Sequence, residues 1–124
     1  EMTSSLVGSE MCIRDSEYGV LLYREKLPKF NNGGRMVFNC FDYPRDTDTP
    51  RIHPTQKSVP LLERLIELFT DNGDVVIDPC AGSGTTLLAA AQCGRKAYGF
   101  EIKKNFYADA NKIILSRMQP RMFV

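Results

Sequence analysis

The chain has 124 residues, of which 43% are hydrophobic and 25% are charged, a composition typical of one soluble globular domain. Its 16 basic and 15 acidic side chains leave a formal net charge of +1, so charge alone does not indicate a nucleic-acid partner. The sequence shows neither a run of about 18 apolar residues nor a secretory leader pattern. We therefore expect a cytoplasmic protein that does not enter a membrane.

The cysteines give little support to metal or disulfide chemistry. Cys12, Cys40, Cys80 and Cys93 form no Cys-x-x-Cys pair, and the sequence contains a single histidine. Zinc sites and disulfide frameworks require cysteines at characteristic spacings. We expect reduced thiols and no bound metal.

The first 16 residues differ from the rest of the chain. They begin with Glu1 rather than methionine, and they are polar and without periodic pattern. Residues 6–16 resemble translated sequencing-adapter DNA. We therefore expect residues 1–16 to be a non-native or disordered appendage without chemistry, and we take the fold from residues 17–124.

The next part of the chain predicts two strands and a long connection. Residues 18–24 form a short apolar run with aromatic and branched side chains, which favours a buried strand. Turn residues follow, and residues 35–41 favour a second strand. Residues 42–57 contain three prolines and several Asp and Thr residues. They predict an irregular surface connection.

A helix and a buried strand are predicted next. Ser58 can cap a helix that has Pro60 in its first turn and that ends at Gly73. Residues 74–78 are apolar at the centre, as in a parallel sheet covered on both faces. The helical residues expected to face the core are Leu61, Leu62, Leu65, Ile66 and Phe69.

The rest of the chain repeats the alternation of helix and strand. Residues 85–93 predict a helix ended by Gly94, and residues 96–101 predict a strand. Asn105 can cap a last helix. Its expected inward residues are Phe106, Ala110, Ile113 and Ile114. The order from residue 58 onward predicts half of a doubly wound α/β sheet.

The most informative segment is residues 78–86, Asp-Pro-Cys-Ala-Gly-Ser-Gly-Thr-Thr, between a predicted strand and a predicted helix. Gly82 and Gly84 permit a tight turn, and amide hydrogens at the helix N-terminus can face a ligand. No lysine follows the second glycine, so this is not a P-loop, and Leu87 replaces the third glycine of a dinucleotide fingerprint. A plain glycine turn is the alternative interpretation.

Glu101 strengthens the interpretation as a binding loop. It ends the next predicted strand, 19 residues after Gly82 (101 minus 82). A carboxylate at that position can accept hydrogen bonds from both ribose hydroxyls of a nucleoside. The sequence therefore predicts a nucleoside-containing cofactor, and a solvated charge at a strand end is the alternative.

Residues 53–57, His-Pro-Thr-Gln-Lys, precede the first predicted helix. Alone they indicate only a helix entry. Together with residues 78–86 and Glu101, they resemble the beta-class amino-group DNA methyltransferases, which methylate adenine N6 or cytosine N4. The resemblance extends from residue 18 to the C-terminus. It implies part of a Rossmann-like S-adenosylmethionine-dependent methyltransferase fold, an incomplete parallel-rich sheet with flanking helices, and makes residues 17–124 the C-terminal part of one catalytic domain.

The resemblance also implies a cofactor and the residues that bind it. S-adenosylmethionine would have its methionine part at the glycine loop and its ribose at Glu101, and its carboxylate would meet Lys57 or nearby backbone amides. Two residues depart from the family pattern: Ser58 replaces a proline and Cys80 replaces a phenylalanine. The implied cofactor-binding residues are Thr55, Gln56, Lys57, Asp78, Ala81, Gly82, Ser83, Gly84, Thr85 and Glu101.

The family's catalytic segment, Asp/Asn/Ser-Pro-Pro-aromatic, is absent from this sequence, and neither residues 42–44 nor residues 78–80 replace it. In the family it accepts hydrogens from the target amine and stacks on a base flipped out of double-stranded DNA. We therefore assign no catalytic residue. We expect a fragment that keeps much of the cofactor pocket and has little or no transfer activity.

Two other functions stay open: an RNA or small-molecule methyltransferase, and a truncated module that binds without reacting. The target base, the recognition sequence, the oligomeric state and any restriction partner are undetermined. Basic residues ahead of the helix form either a phosphate-contacting surface or an ordinary mixed surface. They are Arg24, Lys26, Lys29, Arg35, Arg45 and Arg51. An incomplete sheet also predicts poor solubility.

Overall fold

The computed structural model describes residues 17–27 and 29–118. Helices and strands alternate from residue 59 onward, as predicted. The elements are α1 (Val59–Phe69), β1 (Val75–Asp78), α2 (Thr85–Gln92), β2 (Lys96–Gly99) and α3 (Lys104–Asp109). The last helix continues as a π-helical turn (Ala110–Ile114) and a 3-10 turn (Leu115–Arg117). The expectation for residues 1–16 lies outside the described residues.

The two strands pair in parallel, with Val75 opposite Lys96 and Asp78 opposite Gly99. Helix α2 connects them, so β1, α2 and β2 form one β-α-β unit. Within the described ranges these two strands make up the whole sheet. Both outer edges of this sheet are therefore unpaired there.

The core lies on one side of the sheet, between α1, α2 and the π-helical turn. Ala89 and Ala90 are fully buried, and their small side chains let α1 and α2 approach closely. Ile114 fills the same space from the π-helical turn. The cluster of buried residues is Val59, Ile66, Leu88, Ala89, Ala90 and Ile114.

Within residues 17–27 and 29–118 the other face of the sheet is open, so the prediction that both faces are covered is wrong for this part of the chain. Val76 and Ala97 pack against the core, whereas Ile77 on the opposite face is 63% exposed. Tyr98 and Phe100 are also exposed. Residues alternate between the two faces of a strand, and the described helices cover only one of them. This apolar face is consistent with the expected poor solubility, which stays a prediction.

The two strands predicted upstream are absent. Residues 18–24 and 35–41 contain no strand, and their apolar side chains, such as Leu22, are largely exposed. A strand needs a hydrogen-bonded neighbour, and neither segment pairs with β1 or β2. The prediction that residues 42–57 are irregular is confirmed.

Helix α1 begins where predicted, but its N-terminus is capped by a side chain other than the predicted Ser58. Ser58 Oγ donates to the carbonyl of Pro44 at 3.3 Å and makes no cap. Instead, Oδ2 of Asp46 accepts the Val59 N–H at 3.0 Å. The cap therefore comes from 13 residues upstream, in the irregular connection.

Two other predicted helix ends are shifted. Helix α1 ends at Phe69, and Gly73 lies in the turn that follows, at φ 86°. Asn105 lies inside α3 and does not cap it, because the flanking N-terminal residue is Lys103. None of the described helices is long and apolar enough to cross a membrane.

Candidate functional site

A cleft of about 890 Å³ lies at the carboxyl ends of β1 and β2. Its walls are the loop after β1, the end of β2, the start of α3 and the turn of residues 53–57. Open α/β sheets bind ligands at this position. The volume falls within the roughly 300–1,000 Å³ of small-molecule sites.

The loop between β1 and α2 forms one wall of the cleft. It opens with an Asx turn in which Oδ1 of Asp78 accepts the Cys80 N–H at 3.0 Å. Gly82 and Gly84 then adopt left-handed φ angles of 52° and 79°. Side chains are unfavourable at such angles, so the glycines let the backbone make this tight turn.

Gly84 lies beneath the cleft rather than on its surface. A Cβ atom at this position would come within 3.4 Å of Ala110 Cβ and Leu115 Cδ2. The loop therefore packs closely on the π-helical turn and on the 3-10 turn that follows it. Of the residues predicted to bind the cofactor, Gly84 is the one that does not line the cleft.

Glu101 joins the end of β2 to the glycine loop. Its Oε2 accepts the Gly82 N–H at 2.9 Å, and its Oε1 accepts the Lys103 N–H at 2.8 Å. The predicted closeness of Glu101 and Gly82 is confirmed. The Gly82 amide, which the sequence suggested would face a ligand, is instead bonded to Glu101. Each carboxylate oxygen keeps a further lone pair for a hydroxyl donor.

The turn of residues 53–57 forms the opposite wall. The Gln56 side chain stabilises its own loop, because its Oε1 accepts the Ile52 N–H at 3.0 Å and its Nε2 donates to the carbonyl of Pro50 at 2.9 Å. Lys57 Nζ forms an ion pair with Glu17 at 3.0 Å. Both side chains line the cleft, but both already have partners.

The structure brings nine of the ten predicted cofactor-binding residues to one cleft. They are Thr55, Gln56, Lys57, Asp78, Ala81, Gly82, Ser83, Thr85 and Glu101. Ser83 and Thr85 are the buried members of this set, and their hydroxyl oxygens lie 3.3 Å apart.

Several cleft residues were not predicted to belong to the site. His53 and Phe106 contact each other across the cleft, with ring centroids 4.3 Å apart. Phe100 and Ile102 are exposed on either side of Glu101 and line the same space. The sequence signal that could have predicted Phe100 and Ile102 as cleft residues is their position on either side of the acidic residue at the strand end. Phe106 was predicted only as a core residue.

Two carboxyl groups near the start of α1, away from the cleft, have shifted pKa values. Burial by itself would raise the pKa of Asp46, but hydrogen bonds from Val59, Thr49 and Asp48 outweigh it and hold that pKa below its ordinary value. Burial raises the pKa of Glu63, and the neighbouring charges of Glu67 and Asp46 raise it further. Among the described residues, no group of three or more His, Cys, Asp or Glu side chains is arranged to hold a metal ion.

The strand, glycine loop, helix and acidic strand end are those of an S-adenosylmethionine-dependent methyltransferase fold, here in part. The chain superposes on the solved complex of M1.HpyAVI with S-adenosylmethionine with a TM-score of 0.61 and 33% sequence identity, over 72% of this chain and 45% of that one. It also superposes on the cytosine-N4-specific PvuII DNA methyltransferase with a TM-score of 0.50 and 31% identity, over 56% of this chain and 25% of that one.

The sequence narrows this class to one family. A family model described as DNA methylase matches residues 14–112, and the chain belongs to that family. It is 38% identical over 94 residues to the DNA adenine methyltransferase YhdJ of Escherichia coli K12. That match covers 73% of this chain but 32% of YhdJ, so the chain spans about a third of the length of this relative.

Proposed function

We propose that the chain is the cofactor-binding, C-terminal part of an S-adenosylmethionine-dependent DNA methyltransferase that acts on the exocyclic amine of adenine (N6) or cytosine (N4). The observation that carries the proposal is the hydrogen bond between Glu101 and Gly82, which joins the acidic strand end to the glycine loop. Family membership supports a DNA substrate. The cytoplasmic location stays part of the proposal.

The residues present fit this cofactor. The left-handed backbone at Gly82 forms part of the cleft wall, and a side chain there would contact the His53 ring at 3.7 Å. Glu101 offers acceptors for ribose hydroxyls, and Lys57 offers a cation for a carboxylate. The cleft therefore carries opposite charges that match the two polar parts of the molecule.

Other residues of the cleft support a cofactor that has its nucleoside at Glu101 and its carboxylate at Lys57. Phe100 and Ile102 beside Glu101 present apolar surface that a base can cover. Lys57 Nζ lies 3.0 Å from the Glu17 carboxylate, and this ion pair supports a role for Lys57 as the partner of a carboxylate. In this proposal a methionine carboxylate replaces Glu17.

The cofactor supplies an electrophilic methyl group on a sulfonium. The residues of this chain would bind it, orient it and exclude water from one side. Accepting the protons of the target amine needs an oxygen acceptor next to a flipped base, and the sequence has no Pro-Pro-aromatic segment to provide it. We therefore propose that residues outside these 124 hold the flipped base of double-stranded DNA.

Titration calorimetry with S-adenosylmethionine tests the proposal, on this chain and on a longer protein that restores the upstream segment. We expect both to bind the cofactor and only the longer protein to methylate DNA. Absence of binding by this chain, in its folded state by circular dichroism, would refute the cofactor site. Turnover by the short chain would refute the proposed division of roles.

A substitution locates the site within the chain. Glu101→Gln is expected to weaken cofactor binding about tenfold or more, because a charged acceptor is lost. Glu67→Gln removes the same charge from the exposed side of α1 and is the matched control. Equal affinities for the two variants would contradict the assignment of Glu101.

Cysteine labelling gives a second readout. Cys80 is exposed and lines the cleft, whereas Cys40 is exposed outside it. S-adenosylhomocysteine should slow alkylation of Cys80 by iodoacetamide and leave Cys40 unaffected, as followed by peptide mass spectrometry. Equal rates at Cys80 with and without saturating ligand would place the ligand elsewhere.

A further inference from the structure

The ring of His53 lies where three parts of the cleft meet. It belongs to the turn of residues 53–57, its ring packs against Phe106 of α3, and it faces Gly82 of the glycine loop. The imidazole is half-buried and lines the cleft. None of the roles assigned above to cofactor-binding residues uses it.

One nitrogen of the ring holds the backbone of its own turn. Nδ1 lies 3.2 Å from the Thr55 N–H donor nitrogen and 3.1 Å from Thr55 Oγ1. A backbone N–H can only donate, so Nδ1 must be the acceptor in this pair. The neutral ring therefore carries its proton on Nε2.

The face of the ring connects the turn to the opposite wall. The centroids of His53 and Phe106 are 4.3 Å apart with the planes inclined by 56°. A Cβ atom at Gly82 would stand 3.7 Å from His53 Cδ2, which is ordinary contact distance. Phe106 is the third residue of α3, soon after Glu101. The ring thus packs on α3 and lies beside the glycine loop. The two hydrogen bonds of Glu101 connect the same glycine loop to the start of α3.

The other contacts of the turn of residues 53–57 do not hold it against α3. The hydrogen bonds of the Gln56 side chain stay within residues 50–56. The ion pair between Lys57 and Glu17 is half-exposed, and such pairs contribute little. Ile52 packs against the core and secures only the start of the turn.

We infer that His53 is a positioning residue: it holds Thr55, Gln56 and Lys57 against α3, beside the glycine loop, before any ligand is present, through Nδ1 on one side and its ring face on the other. The identity of the ligand rests on the function proposed above. The placement of the turn does not, because it is a property of the ligand-free protein.

The first test reads the tautomer in the full chain. His53 is the one histidine of the sequence, so its ring signals need no assignment. At about pH 8 an ordinary imidazole is neutral. Nitrogen-15 chemical shifts should then show a protonated Nε2 and an unprotonated Nδ1. The opposite tautomer, or an averaged pair of shifts, would overturn the inference.

Three variants separate the two contacts. His53→Phe keeps an aromatic ring and loses the acceptor, His53→Asn keeps an acceptor near the Nδ1 position and loses the ring, and His53→Ala loses both. Amide hydrogen exchange of Thr55 reports the acceptor. Trypsin cleavage after Lys57 reports whether the turn stays against the cleft wall.

Each variant has a distinct expected pattern without ligand. His53→Phe should speed exchange at Thr55 about fivefold, the equivalent of one ordinary hydrogen bond, and His53→Asn should restore the slow rate. His53→Asn and His53→Ala should both speed cleavage after Lys57, and so should Phe106→Leu in the wild-type turn. Unchanged exchange and unchanged cleavage in His53→Ala would overturn the inference.

Binding of S-adenosylhomocysteine separates this inference from the proposed function. His53→Ala should weaken binding about tenfold while the thermal melt stays that of a folded protein. If the wild-type chain binds no cofactor but the exchange and cleavage patterns appear as expected, the proposed function fails and the positioning role stands. If the wild type binds and His53→Ala binds equally well, the positioning role fails.

Discussion

Residues 59–117 and residues 17–57 differ in how they are held in the structure. The first region contains every helix and strand of the described chain, and side chains such as Ile114, at 0% exposure, lie inside it. The second has comparable apolar runs, yet Leu22 is 86% exposed. An apolar sequence becomes a strand only where a neighbour covers it and completes its hydrogen bonds.

The irregular region nevertheless contacts both ends of α1 through polar groups. At the N-terminus, Asp46 accepts the Val59 N–H. At the C-terminus, the Asn31 N–H donates to the carbonyl of Leu68 at 2.8 Å, and Asn31 Nδ2 donates to the carbonyl of Thr70 at 2.9 Å. Residues 59–117 are thus stabilised by burial, whereas residues 17–57 are attached by these hydrogen bonds and by a few side chains, such as Ile52, that pack on the first region.

The largest expected effect is the loss of stability when a buried side chain is removed. Ile114→Ala should lower the free energy of unfolding by about 2–5 kcal/mol, since it removes a fully buried side chain and leaves a cavity. Leu22→Ala should change it by less than about 0.5 kcal/mol. Urea unfolding followed by circular dichroism measures both. Comparable losses would show that the upstream region also has a packed core.

The next largest difference in stability is expected between substitutions at two glycines, Gly99 and Gly19. A Cβ atom at Gly99 would lie 2.7 Å from Leu87 Cδ1 and 3.0 Å from Ala81 Cβ, whereas at Gly19 nothing lies within 4 Å. Gly99→Ala should therefore cost about 1–3 kcal/mol through overpacking, and Gly19→Ala should be close to neutral. Thermal melts of the two variants check this, and a stable Gly99→Ala would contradict the close packing of β2 on α2.

Asp46 tests the link between the regions. Asp46→Ala removes the cap of α1 and should cost about 1 kcal/mol near neutral pH. Because folding lowers the pKa of Asp46, its contribution is fully present above the unfolded pKa and is lost as the pH falls through the folded pKa.

Urea titrations across the acid range should therefore show that the Asp46→Ala penalty shrinks at low pH. Asp46→Asn keeps an acceptor oxygen without a charge and is the matched control. It should retain part of the cap and lose that pH dependence. A penalty for Asp46→Ala that is constant with pH would exclude a role for the charge.

The smallest expected effect concerns Glu17 and Lys57. Glu17→Gln removes the carboxylate that pairs with Lys57 and should tighten cofactor binding about twofold, because an exposed ion pair competes only weakly. Glu25→Gln, at an exposed residue beside Arg24, is the control. Calorimetry at low salt gives the comparison, and weaker binding by Glu17→Gln would mean that Glu17 assists the site.

The sequence predicted the part of the fold in which neighbours along the chain are also neighbours in space. The order of elements from residue 58 and the contact between Gly82 and Glu101 follow from one β-α-β unit, whose spacing fixes the geometry. The prediction of strands at residues 18–24 and 35–41 was wrong, because strand pairing depends on a partner that local sequence does not reveal.

Side-chain partners were harder to predict than elements. Ser58 stood in a favourable capping position, but Asp46 occupies the helix end from a distance that no local pattern encodes. The contact of Gln56 with a cofactor stays a prediction, but the bonds of its amide to its own loop were not foreseen. His53 belonged to the recognised segment, but its packing on Phe106 becomes visible only in three dimensions.

The two hydrogen bonds of Glu101 have a thermodynamic consequence. They fix the glycine loop and the start of α3 relative to each other in the ligand-free protein. A ligand that adds a third and a fourth partner to this carboxylate finds it already oriented, so little conformational entropy is lost at that contact on association. We therefore expect this half of the cleft to change little in structure when a ligand binds.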